Sequence, residues 1–266
     1  MVLSPQRGTE PESGWPPGHG LAVFEELDST NAEARRRAEA GEPGPLWIRA
    51  DRQTAGRGRR GRSWVSVPGN LMCTLMIRPG GTAGEAARLS FAASLAVREV
   101  LAGYIPDADI RLKWPNDVIL EGGKVAGILL ESAAARGGSL DWLAVGFGVN
   151  LALAPEAPDQ KVTALSLHLP PGVTTPLPDE ALCLLACAFV RWYERAQLDF
   201  ETVRHAWLLH ARGLGEQVRV KTAARTLFGC FESIDADGAL VLVCPDGTRH
   251  TVSAGEVYFS GTAASE

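Results

Sequence analysis

The stretch Asp51-Arg-Gln-Thr-Ala-Gly-Arg-Gly-Arg-Arg-Gly-Arg-Ser-Trp64 governs the reading of the whole chain. Together with Arg49 it sets six arginines (Arg49, Arg52, Arg57, Arg59, Arg60 and Arg62) against one acid, Asp51, in a protein whose formal net charge is -5. Positive charge is concentrated where interspersed glycines also make the backbone most deformable. Glycine lets main-chain N–H groups approach an anion closely, and guanidinium forks grip phosphate or carboxylate oxygens in pairs. The pattern predicts a loop that wraps a phosphate. Its arginines repel one another when it is empty, so it is expected to be mobile then and to order when an anionic ligand arrives.

Two rival readings of the run fail on context. Gly56-Arg-Gly-Arg-Arg-Gly61 satisfies the dinucleotide spacing G-x-G-x-x-G, which requires a helix opening at its end and an acid about 20 residues on. The adjoining residues, Arg62-Ser-Trp-Val-Ser-Val-Pro-Gly-Asn70, make a poor helix start, and no acid occurs between Asp51 and Glu85. A disordered arginine- and glycine-rich RNA-binding segment would be repetitive. This run is short and single, lies between the apolar stretches 46–48 and 71–77, and belongs to an acidic chain, so a functional loop inside a folded domain is favoured.

With 266 residues and 45% hydrophobic content, the chain can bury one large core and a second small one. The longest purely apolar run, 181–190, is too short to span a bilayer, and no basic-then-apolar leader opens the sequence. Residues 1–20 are rich in proline and glycine and read as a disordered tail. Five cysteines without a C-x-x-C pair suit a reducing cytoplasm, and Cys183 and Cys187 read as core packing on one helix face. The histidines show no ligand spacing.

Hydrophobic periodicity predicts a strand over 23–27, then a helix over 29–40 opened by the capping box Thr30-Asn-Ala-Glu33. Beyond the arginine loop come a strand over 71–77, a helix from Glu85, and a strand into Lys113-Trp-Pro-Asn-Asp117. A hairpin comes next, turning at Glu121-Gly-Gly-Lys124, with another strand over 140–149. A proline-rich link over 155–178 leads to helices over 180–193 and 200–211. After Gly213, short alternating stretches separated by the turns Asp237-Gly238 and Asp246-Gly247 give the pattern of a small antiparallel barrel.

Five motifs stand in order: Ser29-Thr-Asn31, Gln53-Thr-Ala-Gly-Arg-Gly-Arg-Arg-Gly-Arg62, Lys113-Trp-Pro-Asn-Asp117, Lys124-Val-Ala-Gly-Ile-Leu and Gly146-Phe-Gly-Val-Asn150. Together they resemble the biotin protein ligases, from about residue 21 to the C-terminus. The resemblance implies an α+β fold whose central mixed sheet is backed by helices, related to class II aminoacyl-tRNA synthetases and lipoate ligases. It divides the chain into a catalytic domain over 21–212 and an SH3-like barrel over 213–262. Only a short segment precedes the first motif, so the winged helix-turn-helix of bifunctional members, and DNA binding with it, is not expected.

The implied reaction joins biotin to ATP as biotinyl-5'-AMP, then passes biotin to a lysine of a biotin carboxyl carrier domain. ATP and biotin are substrates and Mg2+ the implied metal. Arg59 and Lys124 are the candidates for stabilising charge in the transition state, with Asp117 as third catalytic residue, Mg2+ ligand, or base for the carrier lysine. Biotin is assigned to Ser29, Thr30, Asn31, Gln53, Gly56, Arg57, Gly58, Arg59 and Lys124, because a helix start and a carboxamide offer the donors and acceptors a ureido ring needs. ATP is assigned to Arg59, Arg62, Trp64, Asn116, Asp117, Lys124 and Asn150. Trp64 reads equally as an adenine-stacking face or as the first core residue of the next strand. Lys124 alone would read as an exposed hairpin lysine, yet the chain keeps only four lysines, which singles it out. The expected enzyme is cytoplasmic, unattached to membrane, and a monomer or homodimer. A lipoate or octanoate ligase, or a nonenzymatic RNA-binding protein, remain the alternatives.

Overall fold

Every residue of 71–77 and all but one of 140–149 is buried, the mark of strands covered on both faces. They form the middle of a mixed seven-stranded sheet in the computed structural model, which describes residues 14–135, 138–157 and 160–259. The sheet order is β1 (Gly20–Leu27), β2 (Leu46–Gln53), β3 (Leu71–Ile77), β7 (Leu140–Val149), β6 (Gly123–Ala134), β5 (Asp117–Leu120) and β4 (Ile110–Lys113). Only β1 and β2 run parallel, joined through α1 (Thr30–Glu39). The predicted hairpin between β5 and β6 is present, turning through positive φ at Glu121 and Gly122.

Alternation divides the two faces. Leu71, Cys73, Leu75, Val145, Phe147 and Val149 point into the main core, filled by α2 (Ala83–Tyr104) and α3 (Pro178–Leu198). Trp47, Phe147 and Phe189 meet there as an aromatic cluster. α2 starts two residues before the expected Glu85, with the capping box on Thr82 and Glu85. On the opposite face α1 covers only part of the sheet, packing Ala34 and Ala38 with Ala22, Phe24, Ile48, Met76 and Ala144. The neighbouring positions Thr74, Gly146, Gly148 and Gly127 leave a shallow floor beside the start of α1.

After α4 (Phe200–Leu209) the chain forms a five-stranded antiparallel sheet from β8 (Gln217–Lys221), β9 (Thr226–Ile234), β10 (Leu240–Val243), β11 (Arg249–Val252) and β12 (Glu256–Phe259). The order β11-β10-β9-β8-β12 runs from edge to edge, so the expected barrel is an open sheet. Its Asp237-Gly238 turn is keyed into the larger domain: Trp114 Nε1 donates to the Gly238 carbonyl at 3.0 Å, and Arg88 pairs with Asp237 at 2.6 Å.

Residues 1–13 of the expected tail, and 260–262 of the expected terminal domain, lie outside the described residues. Part of 14–19 is packed: Pro16 is buried, and Trp15 meets Trp47 edge to face and donates to the His19 carbonyl.

Candidate active site

The site begins where β1 hands over to α1. Helix starts leave free N–H groups, and a capping side chain normally takes one. The expected capping box is not formed: the N-cap is Ser29, its hydroxyl caps nothing, and Glu33 is taken by Arg36 and Arg37. Other groups order the turn. Asp28 accepts from the Ser29 N–H at 2.7 Å while Arg36 grips both its oxygens, which holds the Asp28 carboxyl down at about 2. Gln53, arriving on the parallel neighbour β2, accepts from the Thr30 N–H at 2.8 Å and from its hydroxyl at 3.1 Å.

Thr74, fully buried on β3, sits 2.6 Å from Asn31 Oδ1 and 2.8 Å from Thr30 Oγ1. A Cβ on Gly146 would lie 2.2 Å from Asn31 Oδ1, so only glycine lets α1 approach the sheet this closely. The Asn31 amide donates to Glu131 at 2.8 Å and to the Leu129 carbonyl at 3.3 Å. Asn31 is therefore committed to protein partners. Ser29 keeps a free hydroxyl, and the result is a buried, neutral, hydrogen-bonded floor.

Above it the arginine run forms a hairpin rather than an open coil. Arg57 bridges Ser63, the Gly58 N–H donates to the Arg62 carbonyl at 2.7 Å, and the Trp64 N–H donates to the Gly56 carbonyl at 2.9 Å. Arg60 turns the tip at φ 56°, with Gly61 after it. The expected repulsion is offset by acids from distant parts of the chain. Arg57 faces Glu131 at 3.4 Å, Arg60 faces Glu256 at 3.8 Å, and Arg62 pairs with Glu256 on β12. Arg59 Nη1 donates to Asn116 Oδ1 at 3.4 Å. Arg49 and Arg52 point elsewhere, to Asp51 with Asp179 and to Glu26.

The hairpin lays Trp64 over the sheet. Gly127 and Gly148 are cross-strand partners, and a Cβ on Gly148 would come within 2.4 Å of the indole, so the ring lies on bare backbone. Lys124 Nζ sits 5.9 Å from the Trp64 ring and 2.7 Å from Asp117 Oδ1, both partners being only 16% exposed. The backbone of Lys124 is strapped at both ends, its N–H to the Lys161 carbonyl and its carbonyl to the Thr163 N–H. Asn116 spans Arg59 and the Ile128 carbonyl.

The fold thus gathers Ser29, Thr30, Asn31, Gln53, Gly56, Arg57, Gly58, Arg59, Arg62, Trp64, Asn116, Asp117 and Lys124 around one patch. Asn150 is the exception. It is buried at 1% exposure, accepting from Asn70 at 3.3 Å and donating to the Thr163 carbonyl at 3.0 Å, where it braces the strap behind Lys124. Sequence reasoning missed Thr74, Glu131, Glu256 and Lys113. The Lys113 ammonium lies 5.9 Å from the Tyr258 ring and 5.7 Å from Phe259, and burial pulls its pKa down. Register could have found it, since Lys113 is paired directly with Asp117 across β4 and β5.

Comparison with known proteins finds relatives over most of the chain. Residues 23–150 match the Biotin/lipoate A/B protein ligase family, and residues 213–260 match the Biotin protein ligase C terminal domain. The chain is 47% identical to the biotin–[acetyl-CoA-carboxylase] ligase of Paracoccus denitrificans, with 88% of this chain and 98% of that protein aligned. It is 31% identical to the bifunctional ligase/repressor BirA of Bacillus subtilis, covering 73% of its length. Among solved structures it resembles the biotin protein ligase from Aquifex aeolicus in complex with biotin and ATP, at 26% identity and a TM-score of 0.73 over 90% of this chain and 97% of that one.

Proposed function

The chain belongs to the biotin protein ligase family, and on that premise we propose how its site carries out the ligation. The protein activates biotin with ATP to biotinyl-5'-AMP and transfers the biotinyl group to a specific lysine of the biotin carboxyl carrier protein of acetyl-CoA carboxylase or a similar carrier. The observation that carries this reading is the meeting of a neutral polar floor, a cationic hairpin and Lys124 on one glycine-cleared sheet face.

In the first step an oxygen of the biotin carboxylate bonds to the α-phosphorus of ATP and pyrophosphate leaves. The floor formed by Ser29, Thr30 and Gln53 holds the ureido ring, which is neutral and presents both donors and an acceptor. Asn31 and Thr74 fix that floor in place. Two anions must then approach each other, and positioned cations offset their repulsion. Arg57, Arg59 and Lys124 supply that charge around the reacting atoms. Arg62 and Lys113 lie further towards the terminal sheet, where the departing phosphates are assigned. Trp64, lying on its glycine shelf, provides the flat partner for adenine.

Mg2+ is proposed as the metal accompanying ATP. No group of three or more His, Cys, Asp or Glu side chains suited to a metal occurs among the described residues. Asp117, whose Oδ1 meets Lys124, is the carboxylate that would offer it an oxygen, and a single such donor fits an ion held mainly by nucleotide phosphates. Bound there, the ion would neutralise phosphate charge.

The mixed anhydride is then attacked by the amine of the carrier lysine, an amide forms and AMP leaves. Until the carrier arrives the hairpin shields the intermediate from water. Asp117 is tied to Lys124 at 2.7 Å, and we assign it to holding that lysine. The carrier domain is the partner proposed for the open side of the hairpin, with the enzyme acting in the cytoplasm as a monomer or homodimer. No helix among the described residues is long and apolar enough to cross a membrane.

The test is exchange of labelled pyrophosphate into ATP by purified protein. Exchange that requires biotin, and then labelling of a carrier domain with biotin, is expected. Exchange with octanoate or lipoate but not biotin would reassign the acid. No exchange with any acid, joined to salt-sensitive RNA binding, would remove the enzyme reading.

A further inference from the structure

We propose that Glu131 is the positioning residue that ties the biotin floor to the arginine hairpin, setting Arg57 for the carboxylate of the bound acid. The inference rests on the biotin ligase reading above.

Glu131 stands on β6 in line with Gly127 and Leu129, on the face that carries the site. Its two oxygens serve two different parts of the enclosure. Oε2 accepts from the amide of Asn31 at 2.8 Å, and Asn31 is only 4% exposed. Oε1 faces Arg57 Nη1 at 3.4 Å, and Arg57 opens the hairpin. A carboxylate is planar and rigid, so holding Oε2 restricts where Oε1 can lie. Asn31 is itself pinned by Thr74 at 2.6 Å and by the Leu129 carbonyl at 3.3 Å. The chain from Thr74 through Asn31 and Glu131 to Arg57 is continuous, and it begins in the buried floor and ends in the exposed flap.

Stability does not account for the arrangement. The Arg57–Glu131 pair has side chains 40% and 33% exposed, a setting in which an ion pair contributes little to folding. Orientation does account for it. Arg57 offers five N–H donors in a fixed fork, and Glu131 engages Nη1, leaving the rest of the fork for a second anion. Among the described residues no other carboxylate pairs with Arg57. Glu131 thus aligns a cation at the boundary between the ureido floor and the reacting carboxylate. The residues assigned to ATP, Asn116, Asp117 and Trp64, share no hydrogen bond or ion pair with this chain of contacts among the described residues.

The test compares Glu131→Gln and Glu131→Ala with wild type in pyrophosphate exchange and in the release rate of biotin from the full-length protein. Glu131→Gln keeps an acceptor for Asn31 but loses the charge facing Arg57, and Glu131→Ala loses both. The expected result is a KM for biotin raised about 5-fold in the first and about 20-fold in the second, with faster biotin release, while the KM for ATP stays within about 2-fold in both. A residue that merely supported the fold would move both KM values together. Equal rises in both, or unchanged biotin KM and release in Glu131→Ala at unaltered melting temperature, overturn the assignment. If Glu131→Ala lowers the melting temperature, Glu131→Gln decides alone, and an unchanged biotin KM there overturns it. Wild-type protein that shows no biotin-dependent exchange would instead remove the ligase reading, which separates the two failures.

Discussion

The floor and the hairpin are built from opposite kinds of interaction. The floor is neutral and held together within the protein: Thr30, Asn31, Thr74 and Gln53 are joined by hydrogen bonds, and Thr74 is fully enclosed. The hairpin is held by ion pairs at the surface, each set between a cation and an acid carried by another element. A buried neutral network is rigid because an unmet partner costs its full desolvation. A half-exposed ion pair is easily exchanged, because another anion can take the place of the acid. The contrast explains how one site does two jobs. The floor selects a shape, and the hairpin responds to charge.

The largest effect should come from removing charge at the reacting atoms. Lys124→Gln should slow adenylation about 1000-fold with ATP affinity changed far less, measured by single-turnover formation of the adenylate. Equal losses in rate and affinity would reduce Lys124 to an ordinary binding contact. Arg59→Ala, which takes one cation out of the hairpin, should raise the escape of biotinyl-5'-AMP into solution about 100-fold while the melting temperature is kept. Retention like that of wild type would contradict its role.

Breaking the floor should act differently. Thr74→Val strips the hydroxyl beside Asn31 and leaves a buried acceptor short of a donor, at a cost of about 1–3 kcal/mol in stability and a matching rise in the KM for biotin. Denaturant unfolding and exchange kinetics measure the two together. A variant that lost activity without losing stability would mean that the floor is less rigid than its hydrogen bonds imply.

The smallest effect is a pH dependence at the helix start. The Asp28 carboxyl is lowered from 3.8 to about 2, first by its hydrogen bond to Arg36, so its contribution is present above pH 3.8 and lost as pH falls from 3.8 through about 2. Because the pair is half exposed, the contribution should stay below about 1 kcal/mol. The stability difference between wild type and Asp28→Asn should therefore shrink across that window. A difference that persisted unchanged below it would assign the effect of Asp28 to something other than its charge.

The fold was largely legible because its signals are local. Continuous apolar runs marked β3 and β7, the two glycines of Glu121-Gly-Gly-Lys124 marked the β5–β6 hairpin, and the motifs picked out residues that the fold brings together. What misled was the local logic of Thr30-Asn-Ala-Glu33. A side chain from another strand, Gln53, took the helix N–H that a capping box would have used, and such a partner cannot be read from four residues. The hairpin was misread for the same reason. Counting charges within 49–62 predicts repulsion, whereas the neutralising acids Glu131 and Glu256 lie far along the chain. Asn150 was legible as a polar strand end but not as a brace, because Asn70 reaches it through the β3–β7 register and Thr163 through loop packing. The open terminal sheet differs from the expected barrel in closure alone, which turn spacing does not encode.

Amide hydrogen exchange over residues 56–64, at low and high salt, without ligand and with biotinyl-5'-AMP, tests the contrast most directly. The N–H groups of Gly58 and Trp64, which donate to Arg62 and Gly56, should be protected in the unliganded protein at low salt, lose protection as salt rises, and become insensitive to salt once the adenylate is bound. The Thr30 N–H, held by Gln53, should stay protected throughout. Hairpin amides that ignore salt in the empty protein, or that stay unprotected with the adenylate in place, would contradict the account.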